Sequence, residues 1–326
     1  MQKAIVMGGA GFIGSWMCRK LKENGFHVAV VDRKMPEFGW HPADEYHVFD
    51  LRNNVEFYDQ LPWNGTDWVL QFAAEMGGAE YVFTGQHDAE IMQSSARINL
   101  NVLEACRKFG VNNVFFASSA CVYPSLGKEA AKDGVACRES FAGNPDSPYG
   151  MEKLFSESLY DAYARNCGMN CKVARFHNIY GEYGTWRGGR EKAPAALCRK
   201  IAEAKPLGTV QCFGDGQQTR SFLHASEAVE GVWRLMNSDF AGPVNIGSSE
   251  MVSIDAMVQM IANIASKFPV HIEHVSGPIG VHGRNSDNSL IEAKLGWKPT
   301  MSLREGLEQT YPWIAEQVKK ANAARV

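Results

Sequence analysis

A glycine-rich turn set between a short apolar run and an amphipathic stretch constrains this chain most. Lys3-Ala4-Ile5-Val6-Met7 reads as a β-strand and runs directly into Gly8-Gly9-Ala10-Gly11-Phe12-Ile13-Gly14. Glycines in such a turn let backbone pass close to a pyrophosphate, and the following helix aims its N–H groups and dipole at that charge. The string satisfies both GxGxxG and GxxGxxG spacing, so it selects no subfamily. Glycine turns without cofactors exist; the position of this one, after a strand and opening a helix, favours a dinucleotide site. Gly8, Gly11, Phe12, Ile13 and Gly14 are the candidate contacts.

The rest of the first half repeats the strand–helix rhythm. Strands are expected at Lys3–Met7, Val28–Val31, Tyr46–Phe49, Trp68–Gln71, Asn113–Ala117 and Cys171–Arg175. Helical patterns lie near Phe12–Asn24, Asn53–Gln60, Asp88–Phe109 and Pro148–Asn166. This alternation implies right-handed βαβ units and an α/β fold, a Rossmann-type doubly wound parallel sheet. After about Asn178 glycine becomes frequent and elements shorten, with helices expected near Ala193–Ala204, Ser253–Ser266 and Leu303–Gln317 and a strand entering Arg220–Phe222. The expected division is an NAD-binding domain over 1–178, with parts of 222–247 able to return to it, and a smaller C-terminal α/β substrate lobe over 179–326.

Net charge is 33 − 36 = −3, so no global basic field favours nucleic acid or an anionic membrane, and neither is an expected partner. Two local basic clusters, Arg187/Arg190/Lys192 and Arg199/Lys200, are candidates for a small anion instead. No apolar run approaches the roughly 20 residues of a membrane span. The apolar start breaks at Gly8 and lacks a small-residue cleavage site, so a first strand is the better reading than a signal peptide. The eight cysteines are scattered without CxxC spacing, which points to free thiols in a reducing cytoplasm and to no metal site.

Strand two ends in Val30-Val31-Asp32. An acid here, 18 residues past Gly14, can accept hydrogen bonds from adenosine ribose hydroxyls and would repel a 2′-phosphate, so the expected cofactor is NAD rather than NADP. Arg33 follows and could blunt that preference. Asp50-Leu51 is placed to touch the adenine amine, with a structural turn as the alternative. Phe72-Ala73-Ala74 supplies small residues, Ala73 and Ala74, where backbone lies beside a cofactor.

Tyr149-Gly150-Met151-Glu152-Lys153 is a YxxxK pair. On a helix these two positions share a face, so the ammonium can sit below the phenol. The cation, with a positive nicotinamide, is expected to lower the Tyr149 pKa from its reference of ~10, letting it take a proton from a sugar hydroxyl while hydride leaves for NAD. Ser118-Ser119-Ala120 ends strand five, at the sheet edge that faces the ligand crevice. Glycine loop, Asp32, edge serines and YxxxK in this order form the pattern of the extended short-chain dehydrogenases, and Leu295-Gly296-Trp297-Lys298-Pro299 resembles that superfamily too.

Four further strings narrow the resemblance. Ser118-Ser119-Ala120-Cys121-Val122-Tyr123-Pro124 carries Cys where sugar 4-epimerases of the superfamily usually have Thr and 4,6-dehydratases have Glu. With Met76-Gly77-Gly78, the run from Arg175-Phe176-His177-Asn178-Ile179-Tyr180-Gly181 through Gly188-Gly189-Arg190-Glu191-Lys192-Ala193-Pro194, and Gly283-Arg284-Asn285-Ser286-Asp287-Asn288, the chain resembles the GDP-mannose 3,5-epimerases along nearly its whole length. The resemblance implies oxidation at C4, proton exchange at C5 and C3, and return of the hydride. A C4 ketone acidifies both neighbouring C–H bonds, and a base and an acid on opposite faces can then invert each centre. By similarity Cys121 is the base and Lys192 the acid, with Ser119, Tyr149 and Lys153 serving the hydride steps. A free thiol ionises near ~8.5, within tuning range of neutral pH beside cations. Glu191 holds Lys192 or is a favourable first-turn acid.

Substrate contacts carried over are Gly77 near the sugar, Ala120, Asn178, Glu191, Ala193, Lys200, Gln218, Thr219, Arg220 and Arg284. Arg220 and Arg284 are assigned to the GDP phosphates, since guanidinium suits bidentate pyrophosphate contacts. Ala79-Glu80-Tyr81-Val82-Phe83 departs from the family, which more often shows Met-Gly-Phe-Ile, and Ser125–Cys137 is dissimilar. A 4-epimerase or dehydratase acting on another nucleotide sugar, and a non-catalytic NAD-binding regulator, are the alternatives. A homodimer through Asp88–Phe109 and Pro148–Asn166 is expected by analogy with relatives.

Overall fold

A computed structural model describes residues 1–38, 42–125, 135–145, 147–277 and 283–324. The strands β1 (Lys3–Met7), β2 (His27–Asp32), β3 (Glu45–Val48), β4 (Trp68–Gln71) and β5 (Asn113–Ser119) form one parallel sheet with Asn170–Phe176 and Val244–Ile246. The sheet runs from Val244–Ile246 through Asn170–Phe176, β5, β4, β1 and β2 to β3, and every pairing is parallel. The order turns back between β1 and β4, which opens a crevice at the carboxyl ends of those two strands.

Burial on both faces explains the near-continuous apolar runs in the strands. Val6, Val28 and Val30 meet Met17 and Leu21 of α1 (Phe12–Glu23), together with Val229 and Val232 of helix Ala225–Met236. Their neighbours Ile5, Ala29 and Val31 meet the opposite layer, Val102 and Leu103 of helix Asp88–Phe109 and Tyr160 of helix Pro148–Cys167. Each buried Val or Leu of this kind contributes about 1.5–3 kcal/mol. The doubly wound sheet read from the sequence is the one found.

A separate core joins Leu197 and Ile201 of helix Ala193–Glu203, Met257 and Ile261 of helix Ile254–Ile264, and Leu307 and Ile314 of helix Leu303–Ala323. A four-stranded sheet lies alongside, in the order Met251–Ser253, Thr219–Ser221, Gly283–Ser286, Ala136–Cys137. Two details differ from expectation. The Asn53–Gln60 helix is a 3₁₀ turn over Val55–Gln60, with no side-chain cap and with Pro62 just beyond it, too short to propagate an α-helix. The final helix continues past Gln317 to Ala323, started by a reciprocal Ser302–Glu305 capping box.

Candidate active site

The crevice at the β1/β4 switch opens into a cavity of about 390 Å³, lined by Gly8, Gly11, Phe12, Ile13, Gly14, Asp32, Asp50, Leu51, Ala73, Ala74, Tyr149 and Lys153 among others. All the sequence-derived cofactor residues therefore share one wall system. Gly8 has φ +76, and a methyl there would come within 2.7 Å of the Ala73 nitrogen. A methyl on Gly14 would overlap the Gly8 carbonyl. Only glycine fits this crossing, which leaves the helix start open to a phosphate-sized group.

Asp32 accepts hydrogen bonds from the Ala10 N–H at 3.1 Å and the Lys34 N–H at 3.3 Å. Burial nonetheless pushes its carboxyl above the ordinary carboxylate value, the backbone bonds opposing. Arg33 does not lie alongside that acid as a free cation, because its Nη1 is held 3.2 Å from Glu75 Oε2. Asp50 is engaged by Arg52, with Nη2 at 2.7 Å, and its carboxyl is held low by that guanidinium.

A second cavity, of about 350 Å³, shares Gly77, Ser119, Tyr149 and Lys192 with the first and extends through Cys121, Asn178, Lys200, Gln218, Arg220 and Arg284. Ala120, Glu191 and Ala193 also line it. Strand alternation sorts the edge serines. Ser118 is buried and donates to Glu157 at 2.5 Å, in a network where Arg175 Nη2 pairs with the same carboxylate at 2.6 Å. Ser119 reaches the cavity, accepts from the Cys121 N–H at 3.2 Å and hydrogen-bonds Tyr149. The 3₁₀ turn Ala120–Val122 that it caps brings Cys121 round to face the same space.

Ser147 caps helix Pro148–Cys167 through the Gly150 N–H. A methyl on Gly150 would overlap the Cys121 carbonyl. This glycine is what lets the Tyr149 helix lie against the cysteine turn. Gly150→Ala should gain about 1 kcal/mol of helix propensity but lose about 1–3 kcal/mol to overpacking against rigid backbone. The expected outcome is a Tm unchanged or lower in thermal unfolding with loss of activity; a raised Tm with full activity would contradict the contact.

Lys153 is buried beneath the tyrosine. Its Nζ donates to the Ala117 carbonyl at 2.9 Å and lies 5.8 Å from the Tyr149 ring centre. Burial draws the ammonium below its ordinary value, opposed by the charges of Glu152, Glu157 and Cys121. The expected lowering of Tyr149 is not found in the protein alone. Burial pushes the phenol up, the Cys121 charge adds to this, and the Ser119 hydrogen bond opposes without prevailing.

Lys192 sits just before helix Ala193–Glu203. Burial holds it below the ordinary lysine value, with the Cys121 charge acting in the other direction. Arg284 Nη1 reaches to 3.8 Å from Cys121 Sγ, and its Nη2 donates to the Tyr123 carbonyl at 3.3 Å. Arg220 lies close enough for Arg284 to act on it: burial first, and the Arg284 charge second, pull it down to about 10. The two arginines assigned to the phosphates thus stand at the cysteine end of the cavity and place positive charge against the sulfur.

Several expectations need correcting. Thr219 is not on the cavity wall formed by the described residues; on a strand it points opposite to Arg220, and its carbonyl accepts from Arg220 Nη1 at 2.7 Å. Glu191 neither holds Lys192 nor serves as a first-turn acid, since it precedes the helix and is taken by Arg199 Nη2 at 3.1 Å and the Gly189 N–H at 2.7 Å. The two basic clusters divide: Lys192, Arg199 and Lys200 line the second cavity, with Lys200 donating to the Gln211 carbonyl at 2.7 Å, while Arg187 stacks on Trp186 and Arg190 pairs with Glu75. Asn178, at φ +47, spends its Nδ2 on the Ser221 carbonyl at 3.0 Å. Residues 126–134 of the dissimilar Ser125–Cys137 stretch lie outside the described residues. Sequence reasoning missed Glu75; a lone acid before Met76-Gly77-Gly78 carries no spacing signal.

A doubly wound parallel sheet with a glycine cradle, a ribose-side acid and a Ser–Tyr–Lys set at one cavity defines a dinucleotide-dependent enzyme that oxidises or reduces a carbon bearing a hydroxyl. The model of the NAD dependent epimerase/dehydratase family matches residues 4–247, and the chain belongs to that family. It is 45% identical over 329 residues to the GDP-mannose 3,5-epimerase of Arabidopsis thaliana, covering 98% of this chain and 84% of that protein. Among solved structures it resembles the UDP-glucose 4-epimerase of Thermotoga maritima with UDP-glucose, at 25% identity and TM-score 0.86 over 97% of this chain and 100% of that one. It also resembles the UDP-glucuronic acid 4-epimerase of Bacillus cereus in complex with UDP-glucuronic acid and NAD, at 26% identity and TM-score 0.79 over 97% and 99% of the two chains.

Proposed function

We propose that this chain epimerises GDP-D-mannose at C3 and C5 to GDP-L-galactose, and to GDP-L-gulose when C5 alone inverts, through a transient 4-keto sugar. The observation that carries this is the presence of Cys121 and Lys192 on the cavity shared with Ser119 and Tyr149. A plain 4-epimerase has no use for a thiol and an ammonium flanking the sugar. Bound NAD supplies hydride acceptance from C4 and its return. Gly8, Gly11, Gly14 and Asp32 would hold it, and Ala73 and Ala74 would leave room for it on the same cavity wall. Tyr149 accepts the O4 proton, Ser119 orients that hydroxyl, and Lys153 supports the phenolate from below. The Cys121 thiolate removes the proton from C5, then C3, while Lys192 delivers a proton from the opposite face. Arg220 and Arg284 meet the pyrophosphate.

Incubation with GDP-mannose in D₂O, followed by NMR, tests the reading: deuterium at C3 and C5 with new diastereomers is expected. Label at neither carbon, or unchanged GDP-mannose, would sink it in favour of another nucleotide-sugar activity or a non-catalytic role.

The NAD-binding part comprises residues 1–178 with the returning segment within 222–247, and the remainder after 178 forms the nucleotide-sugar lobe. Support comes from helix Ala225–Met236 and strand Val244–Ile246 packing on the large sheet. The chain acts as a homodimer. Met92 and Leu100 on helix Asp88–Phe109, and Met151 and Phe155 on helix Pro148–Cys167, are exposed apolar side chains on adjacent helices, suited to a four-helix contact. Light scattering should give twice the mass of one chain, and a single-chain mass would refute it. Among the described residues no helix is long and apolar enough to cross a membrane, and all eight cysteines are free, which supports a reducing cytoplasmic setting.

A further inference from the structure

Between the two cavities, a carboxylate that plays no part in the chemistry above gathers three segments. Glu75, 3% exposed, accepts from Arg190 Nη1 at 2.8 Å and from the Tyr81 hydroxyl at 3.0 Å, both on Oε1. Its other oxygen takes Arg33 Nη1 at 3.2 Å. Ser95 Oγ accepts from the Glu75 N–H at 3.1 Å, fixing the acid's own backbone. Burial alone would raise this carboxyl, but the hydrogen bonds from Tyr81 and Arg190 and the charges of Arg33 and Arg190 outweigh it and hold it below the ordinary value.

Arg190 is fastened three times over. Beyond the ion pair, its guanidinium lies 4.0 Å from the Tyr81 ring centre, and its carbonyl accepts from the Gly78 N–H at 3.0 Å. The two segments touch so closely that a methyl on Gly78 would stand 2.5 Å from the Glu191 carbonyl. Two residues past Arg190 comes Lys192. The Tyr81 hydroxyl belongs to the stretch where this chain departs from its resembled family, so this arm of the clasp is a feature of this sequence.

We propose that the Glu75–Arg190–Tyr81 clasp is a positioning device that fixes Lys192 on the sugar cavity, making Glu75 and Arg190 positioning residues for the proton-delivery step. The physical reason is leverage. Among the described residues Lys192 has no hydrogen-bond partner of its own in the cavity, whereas the backbone leading to it is tied to the segment 75–81 that follows β4 by one hydrogen bond, one buried-to-surface ion pair and one stacked ring. Anchoring the backbone lets the flexible ammonium work from a fixed root. Misplacing such a group by about 1 Å costs on the order of 10²-fold in rate.

The proposal rests on the epimerase reading for its catalytic consequence but not for its structural one, and the test separates the two. In the NAD-loaded protein, acylation of Lys192 by acetic anhydride is followed across pH by peptide mass spectrometry, with exposed lysines as the internal reference. The wild-type midpoint should lie below that reference. Arg190→Met, which removes the charge from a side chain already 43% exposed, should move the midpoint up toward it, with a modestly lower Tm because buried Glu75 loses one partner. Tyr81→Phe should move it less, and Arg190→Lys should restore part of the shift. With GDP-mannose, deuterium exchange in Arg190→Met should fall about 10- to 100-fold. An unmoved Lys192 midpoint in both Arg190→Met and Tyr81→Phe overturns the clasp, whatever the exchange rates do. A wild type inert toward GDP-mannose sinks the epimerase reading and leaves the midpoint measurement to decide the clasp alone.

Discussion

Cys121→Ala should abolish solvent exchange at C5 and C3 of GDP-mannose, lowering epimerisation by about 10²–10⁴-fold, while the protein keeps its Tm and its bound NAD. The magnitude is that of removing one positioned proton-transfer group. The neighbouring Ser119 is no substitute, since it is committed to Tyr149 and to the Cys121 N–H. Alanine fills the thiol's place at the cost of little volume, and Cys121 is only partly buried, so the loss would be chemical rather than structural. Supplying a GDP-linked 4-keto hexose directly sharpens the test. With the ketone already made, exchange should still fail in Cys121→Ala. If deuterium enters C5 at the wild-type rate in this variant, the thiol is not the base.

Much of this architecture is legible in the chain because it is written in local periodicities. The β1 run, the glycine string and Asp32 sit close together in sequence and meet again at one crevice, so spacing alone locates them. Tyr149 and Lys153 share a helix face for the same reason. What could not be read are consequences of distance and burial. Arg190 finds Glu75 across 115 residues of sequence, and nothing near either residue announces the other. Arg33 and Arg190, free cations to a reader of composition, are both spent on that acid. Thr219 was carried along with its neighbours Gln218 and Arg220, yet strand alternation turns it away from them. The sign of the Tyr149 shift depended on how dry its pocket is, which no motif encodes; the sequence names the cation below the ring but not the desolvation that outweighs it. Gly150 likewise looks like a dispensable helix glycine until the Cys121 carbonyl is seen against it.

Tyr149→Phe should cut overall turnover by about 10²–10⁴-fold as well, but with a different signature. The ring remains, so packing against the helix and the cysteine turn is preserved, and loss of the Ser119 hydrogen bond should cost stability only about 1 kcal/mol. Without the hydroxyl, no group accepts the O4 proton, the ketone does not form, and exchange at C3 and C5 disappears with it. The same GDP-linked 4-keto hexose should rescue exchange in Tyr149→Phe while leaving Cys121→Ala silent. The two variants thus separate hydride chemistry from carbon-acid chemistry within one cavity. The pH dependence adds a sign. Because burial holds the Tyr149 phenol above its ordinary value in the protein alone, its basic form gains population as pH rises, so the wild-type rate of C4 oxidation should climb with pH. Tyr149→Phe should flatten that climb. A variant that retained the wild-type slope would place the base elsewhere, and full exchange from GDP-mannose itself would show that O4 deprotonation does not pass through this residue.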